Sequence, residues 1–438
     1  MRKISRLEVF LFFLLFVASS WDIFANIKVS GYSVRFFYFV EMLLLFFLLF
    51  VKKRISLFIG HVFFVFWILF IVIAIPNTSI LTRNVGYFFW LVFSYLLLIL
   101  IVSYFQTIEK FFRYFKLYVF SFLCMSLFGF VQFVVGLAGI SLMTTQWWIK
   151  GVIPRINGLS YEPSYYGTYI SGGAALLYWL TFVEKRKILP FQLTITLFTI
   201  LVIVLSSSRI AILSLIFVVS LHILYKFFIP LFKGKLNLTG LRVTTFFLTI
   251  ILAIIIFIFT HLESFKIFMT GIGLFGSPSH SVDERLQAAI DTFKVFLNNP
   301  FIGVSLGGIP SHRANLYGIT ISTQLEAKQF EGLNVLLEVL AASGIVGFLF
   351  FLIFWFNLLK VHFSLEKKVK KTVGRIHDSS LICLLSINRA LGVMLIVEFF
   401  ALMMNQNILR PYFWLSLSFY ISCLVILRKN VNYRFIQR

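Results

Sequence analysis

The chain has 438 residues, of which 60% are hydrophobic and 57 are phenylalanine, with a mean hydropathy of +0.97 and a formal net charge of +23. Stretches of 18 or more residues without a charge recur along it, which excludes a soluble globular protein and leaves a polytopic membrane protein, a single membrane domain over residues 1–438. The surplus of Lys and Arg calls for no nucleic acid, because cytoplasmic loops facing anionic membrane lipids account for it.

A helix needs ~20 apolar residues to cross the hydrocarbon core, and by that criterion the fold class is all-α, with about twelve spans starting near residues 7, 34, 55, 84, 117, 165, 188, 209, 243, 334, 380 and 411. Basic residues concentrate in alternate connections: Arg2 to Arg6, Lys52 to Arg54, Lys110 to Lys116, Lys185 to Lys187, Lys226 to Arg242, Lys360 to Arg375 and Arg428 to Arg438. The positive-inside rule makes these cytoplasmic, puts both termini inside, and turns 139–164, the junction 206–209 and the long loop 261–333 outward. The first span ends near Ala18-Ser19-Ser20 and reads as a retained signal-anchor. Cys124, Cys383 and Cys423 fall in predicted spans with no CxxC pair and no His at ligand spacing, so they read as small core residues and not as disulfide or metal ligands.

Within 261–333, Ser281-Val-Asp-Glu284 reads as a capping box. Leu286, Ala289, Ile290, Phe293, Phe296 and Leu297 then recur at helical spacing until Asn298-Asn299-Pro300, which predicts an amphipathic helix in the outer interface. Gly303, Gly307, Gly308 and Pro310 signal irregular backbone after it.

Chemistry points to the outward face. Arg155-Ile-Asn-Gly-Leu-Ser-Tyr-Glu162-Pro-Ser164 sets a fixed cation and a carboxylate seven residues apart in a polar connection, Arg209 follows Ser206-Ser207-Ser208, and Arg285 opens the loop helix. Guanidinium groups bind phosphate through bidentate, charge-assisted hydrogen bonds, so Arg155, Arg209 and Arg285 together can hold a pyrophosphate; the bland alternative is that each snorkels to lipid headgroups. Glu162 precedes Pro163, so its carboxylate sits near a helix start at Ser164, where it acts as a general base or sugar-orienting group, or merely meets the helix dipole or pairs with Arg155. Tyr161, Tyr165, Tyr166, Trp147 and Trp148 can stack on sugars, although an interfacial aromatic belt asks for the same residues. His312 is a lone histidine in the long loop, a base or only a polar residue. Inside the membrane, Glu41, Gln132, Glu398 and the Asn388-Arg389 pair need partners or line a pathway.

Four segments in order resemble the O-antigen polymerase and O-antigen ligase superfamily. Arg155-Ile-Asn-Gly158 through Glu162-Pro163-Ser164 is similar to its Arg-x-x-Gly motif in the Glu-Pro-Ser form of exopolysaccharide polymerases, and Ser207-Ser208-Arg209 to its Ser-Arg hairpin. Glu284-Arg285 through Asn299-Pro300-Phe-Ile-Gly303-Val-Ser-Leu-Gly307 resembles its loop helix, and Asn334-Val-Leu-Leu-Glu338 through Ser343-Gly344-Ile-Val-Gly347 its returning helix. The likeness covers residues 155 to 347 and departs at Leu333, where many members, the ligases especially, carry His before the Asn. Glu162, Glu331 or His312 is then left as the base, and polymerase is favoured over ligase or another lipid-glycan transferase, and over a polysaccharide transporter or flippase, which would gather its polar residues at midplane. The resemblance implies a GT-C-like helical membrane glycosyltransferase with one large extracytoplasmic loop, acting on an undecaprenyl-pyrophosphate-linked oligosaccharide at the outer face of the bacterial cytoplasmic membrane. It implies no cofactor and no obligatory metal, and a chain-length regulator protein as a further partner. The site it outlines has Glu162, Arg209, Arg155 and Arg285 as catalytic residues and Ser208, Tyr161, Ser164, His312, Glu331 and Asn334 as substrate contacts.

Overall fold

The computed structural model describes residues 6–29, 32–53, 55–78, 80–149, 151–232, 234, 238–260, 280–373, 379–405 and 408–436, and places a helix near each expected span start, beginning at His61 where 55 was expected and at Ile108 where 117 was. These are α1 Arg6–Ala18, α2 Phe36–Phe46, α3 His61–Ile73, α4 Leu81–Tyr104, α5 Ile108–Leu137, α6 Pro163–Tyr178, α7 Gln192–Leu205, α8 Arg209–Ile223 with its continuation α9 Ile229–Phe232, and α10 Leu238–Thr260. The long loop contributes α11 His280–Asn298, α12 Ile309–Asn315 and α13 Gln324–Ala327 before α14 Val335–Val373, α15 Ser379–Asn405 and α16 Pro411–Ile436 complete the chain. Among the described residues, six helices are long and apolar enough to cross a membrane: 81–104, 108–137, 209–232, 335–371, 379–404 and 411–431. Helices α3 and α7 are apolar but shorter. Residues 261–279 and the side chain of Ser281, on which the capping box rests, lie outside the described residues; the helix itself begins at His280 and stops at Asn298, as Asn299-Pro300 requires.

The least apolar of the six long helices, α16, is also the most enclosed, while the more apolar α8 is mostly exposed. The reason is polar satisfaction. Ser418 donates to the carbonyl of Trp414 one turn back, and the Ser416 hydroxyl lies 2.9 Å from both Tyr412 O and Glu398 Oε1 of α15, contacts that hydrocarbon cannot replace. Gly172 of α6 has no room for a Cβ, which would stand 2.5 Å from Glu398 Oε1, so the glycine lets α6 close onto that carboxyl. Of the other intramembrane polar residues, Asn388 meets His362 at 2.8 Å, Arg389 bridges Glu366 at 2.8 Å and Glu184 at 3.4 Å, and Glu41 is fully buried without a hydrogen-bond partner among the described residues.

The returning helix α14 is broken at Gly344, whose φ of 62° and ψ of −175° are not helical. The carbonyls freed by the break are taken up by the loop: Val304 N donates to Ala341 O at 3.0 Å and Ser305 N to Ala342 O at 2.9 Å, while Ile345 N donates to Pro300 O at 2.7 Å. A Cβ at Gly303 would stand 2.6 Å from Ala341 O and one at Gly344 2.3 Å from Phe301 O, so these two glycines let the two backbones meet.

Two short hairpins break the all-helical expectation: Ile27–Val29 with Tyr32–Val34, and Gln146–Ile149 with Ile153–Arg155. Strands this short are fixed by their setting more than by their own propensity, so no hydrophobic alternation announces them.

Candidate functional site

Residues 22, 35, 83, 155–164, 207–209, 331–334, 403 and 410 all meet at one end of the bundle, tied by Asp22 N to Leu159 O at 2.8 Å and Asn334 Nδ2 to Met403 O at 3.1 Å. The helices α2, α4, α6, α8, α14 and α16 all begin at this end. Their aligned dipoles make it favourable for anions before any side chain is counted.

Arg155 closes the second hairpin, directly across from Gln146 in the register. Its Nη1 donates to Gln146 Oε1 at 2.9 Å and its Nη2 to Ser207 O at 3.1 Å, both neutral acceptors. The loop behind it is pinned by Gln132 of α5, whose Oε1 accepts from Asn157 N at 3.0 Å and Gly158 N at 2.9 Å. Gly158 has φ +55°, and a Cβ there would stand 2.6 Å from the Tyr166 ring, which is the physical reason for glycine in Arg-x-x-Gly. Tyr166 itself is fully buried and donates to Met125 O at 2.8 Å, so it is a core residue and is not available for sugar stacking. Tyr161 remains exposed.

Glu162 is the N-cap residue of α6, with extended backbone, Pro163 at the first helical position, and its Oε2 accepting from the Ser164 hydroxyl at 3.0 Å. Ser207, with φ +50°, turns the chain into α8; Ser208 caps that helix by accepting from Ala211 N at 3.4 Å and packs on Gly167 of α6, where a Cβ would stand 2.8 Å from the Ser208 side chain. This close approach sets Arg209, the first residue of α8, beside the start of α6. Arg209 has no hydrogen-bond or ion-pair partner among the described residues.

Electrostatics join these groups to the loop helix. Burial pushes the Arg155 guanidinium below its ordinary value, the Arg209 charge adds to this, and Glu162 opposes it. Burial also lowers Arg285, with Arg209 again contributing and Glu162 again opposing. Arg209 thus repels both Arg155 and Arg285, Glu162 attracts both, and Glu284 attracts Arg285 as well; an added anion would relieve the repulsion.

A second layer of charge surrounds Tyr165. Arg410 lies over its ring at 3.9 Å and pairs with Asp22 at 3.1 Å; Arg35 also pairs with Asp22 at 3.1 Å. Burial works against the charge of Arg410, but Asp22 and then Tyr165 hold its guanidinium above the ordinary value. Tyr165 lies within electrostatic reach of Arg410, Glu162, Asp22 and Glu331. Glu331 pairs with Arg83, which is fully buried, and Arg83 also donates to Gln324 Oε1 at 2.7 Å and Tyr87 OH at 2.6 Å. Behind it, Arg313 donates to the Glu331 carbonyl and pairs with Asp291 of α11 at 3.4 Å, and Tyr317 OH donates to Asp291 at 2.7 Å.

His312 contacts its own helix, with Nδ1 3.1 Å from Gly308 O. Asn334 caps α14, its Oδ1 accepting from Leu337 N at 3.2 Å. The sequence reading passed over Arg83, Arg410, Asp22 and Arg35. Arg35, Arg83 and Arg410 carried the same signal as Arg209, a basic residue at the start of a helix, and Asp22 followed the first span. What the sequence could not supply was their convergence.

Residues 194–352 match the family model described as O-antigen ligase, in agreement with the superfamily resemblance read from residues 155 to 347. No curated protein matches the chain. The matched range contains Arg209, Arg285, His312, Glu331 and Asn334, and it supports a membrane glycan-handling transferase whose substrate is a lipid-linked glycan.

Proposed function

We propose that this chain is a repeat-unit polymerase of about twelve membrane spans and GT-C-like architecture, acting at the outer face of the bacterial cytoplasmic membrane on undecaprenyl-pyrophosphate-linked oligosaccharides. The observation that carries the reading is the cluster of Arg155, Arg209 and Arg285 around Glu162, at a bundle end where six helices begin. Three guanidinium groups offer a pyrophosphate the charge and the forked donors that it binds best.

In this reading the three arginines bind the pyrophosphate of one lipid-linked glycan and stabilise the charge that grows on it as the bond from the anomeric carbon to the phosphate oxygen breaks. The lipid pyrophosphate leaves with the bonding electron pair. A non-reducing-end hydroxyl oxygen of a second lipid-linked unit forms the new bond from the opposite face, giving inversion, and Glu162 takes the hydroxyl proton and passes it to water. Leu333 stands where a ligase base is expected, which favours the polymerase; the ligase description of the matching family keeps ligation as the second reading.

Purified protein supplied only with undecaprenyl-pyrophosphate repeat units is expected to build a ladder of longer lipid-linked glycans. A ligase stays idle until a distinct acceptor is added, and a transporter leaves glycan length unchanged. Glu162→Gln keeps size and hydrogen bonding but cannot take a proton, so it should lose the ladder and retain lipid-glycan binding. A normal ladder from that variant removes Glu162 as the base.

The outward orientation has its own test. Leu325 is 74% exposed in the long loop and Phe191 is 79% exposed before α7, on the opposite side of the alternating topology. In a background lacking the three native cysteines, Leu325→Cys should react in intact cells with an impermeant thiol reagent and Phe191→Cys should not. The reverse pattern overturns the orientation.

A further inference from the structure

We propose that Glu331 is the carboxylate that fixes the acceptor glycan, and that Arg83, with Tyr87, is its positioning residue. This rests on the polymerase reading and adds to it the site of the second substrate, opposite the pyrophosphate-binding arginines.

Arg83 is 0% exposed and Glu331 25% exposed, an asymmetric pair in which the cation is sealed and the carboxylate opens outward. Sealing a guanidinium carries a desolvation cost that a loop fastening made of neutral groups would not. Both Arg83 and the Tyr87 hydroxyl bond Oε1 of Glu331, the tyrosine at 3.4 Å. Oε2 accepts no hydrogen bond among the described residues. One oxygen is therefore clamped and the other is presented.

The main chain under Glu331 is fixed as firmly as its side chain. Arg313 donates to its carbonyl. The next two residues follow a tight path: a Cβ at Gly332 would stand 2.6 Å from Glu338 Cγ, and Leu333 has φ +60°, with its N–H donating to the buried Glu338 Oε1 at 3.1 Å. Residues 331 to 333 are thus held from behind by Glu338, from below by Arg313 and at the side chain by Arg83. Functional groups are built in this way when their direction matters.

The direction is toward the site. Glu331 and Glu162 are both electrostatic neighbours of Tyr165, whereas Arg155 feels Arg209 and Glu162 but not Glu331. Glu162 acts on Arg155 and Arg285, the half suited to pyrophosphate, whereas Glu331 acts on neither arginine and belongs to a second half with Tyr165, whose ring also carries Arg410 at 3.9 Å. An ionised carboxylate accepts hydrogen bonds from sugar hydroxyls and repels phosphate, so the second half suits the non-reducing terminal sugar of the acceptor.

The test uses purified full-length protein, the native lipid-linked repeat unit as donor, and as acceptor a soluble repeat oligosaccharide prepared by partial hydrolysis of the host polymer. Inorganic pyrophosphate protection against heat reports the donor half separately. Glu331→Asp, which keeps both charges, and the neutral pair Arg83→Met with Glu331→Gln, which leaves no unpaired buried cation, should each raise the KM for the acceptor at least about tenfold, consistent with the loss of a hydrogen bond to a charged group. Pyrophosphate protection should stay within about twofold of wild type, because the arginine cluster is untouched. Arg83→Lys should raise the acceptor KM more than it lowers kcat, which a residue needed only for folding would not do. If the neutral pair or the Asp variant keeps the wild-type acceptor KM, the ion pair is only a fastening and this inference falls while the polymerase reading stands. If wild-type protein neither extends the acceptor nor is protected by pyrophosphate, the polymerase reading itself falls.

Discussion

Arg209→Lys is expected to lose polymer nearly as completely as Arg209→Ala, each lowering the rate of ladder formation by about 10²–10³, the range seen when one preorganised charge-stabilising donor is removed. The lysine keeps a positive charge at the start of α8, but a compact ammonium cannot offer two parallel donors to a phosphate, and its flexible stem does not hold a fixed direction. The position favours this outcome. Arg209 is held by the Ser207 turn and the Ser208 cap, between a helix start and the Arg155 guanidinium, and has no partner of its own among the described residues. Membrane insertion and thermal stability should be close to wild type in both variants. Full-length polymer from the Lys variant would reduce Arg209 to a generic cation attracting lipid headgroups.

Gly344→Ala should sharply reduce the yield and thermal stability of folded protein, although residue 344 touches none of the arginines. Its φ of 62° with ψ of −175° belongs to a region essentially restricted to glycine, at a cost of order 1–3 kcal/mol for any other residue. A Cβ would also stand 2.3 Å from Phe301 O, a backbone atom that cannot swing away. The substitution forces apart the Pro300 loop and the broken α14, and with them the bonds Ile345 N to Pro300 O and Ser305 N to Ala342 O. Gly318→Ala is the control, since Gly318 has φ +70° but nothing within 4 Å of an added Cβ. Its backbone strain alone should cost about 1–2 kcal/mol. Equal losses of melting temperature in detergent for the two variants would mean that the loop does not brace the broken helix.

By itself the sequence determined the membrane class and the approximate positions of most of the long helices. Uninterrupted apolar length and alternating basic connections are local, one-dimensional signals, and a bilayer permits few backbone solutions to them. Glu162-Pro163, Ser208-Arg209 and Asn299-Pro300 were legible for the same reason, because caps and stops act within a few residues. The tertiary structure alone decided what those residues meet. Tyr165 and Tyr166 are adjacent in the chain, yet one lies beneath Arg410 at the site and the other is buried on α5, because neighbouring positions on a helix point in different directions. Arg83 and Glu331 are 248 residues apart and become an ion pair only when the long loop folds back over the start of α4. Gly158, Gly167, Gly303 and Gly344 looked alike as glycines; what fixes each is the Tyr166 ring, the Ser208 side chain or a backbone carbonyl that a Cβ would strike. Packing contacts of this kind join residues from distant parts of the chain, and the spacing of residues along it does not encode them.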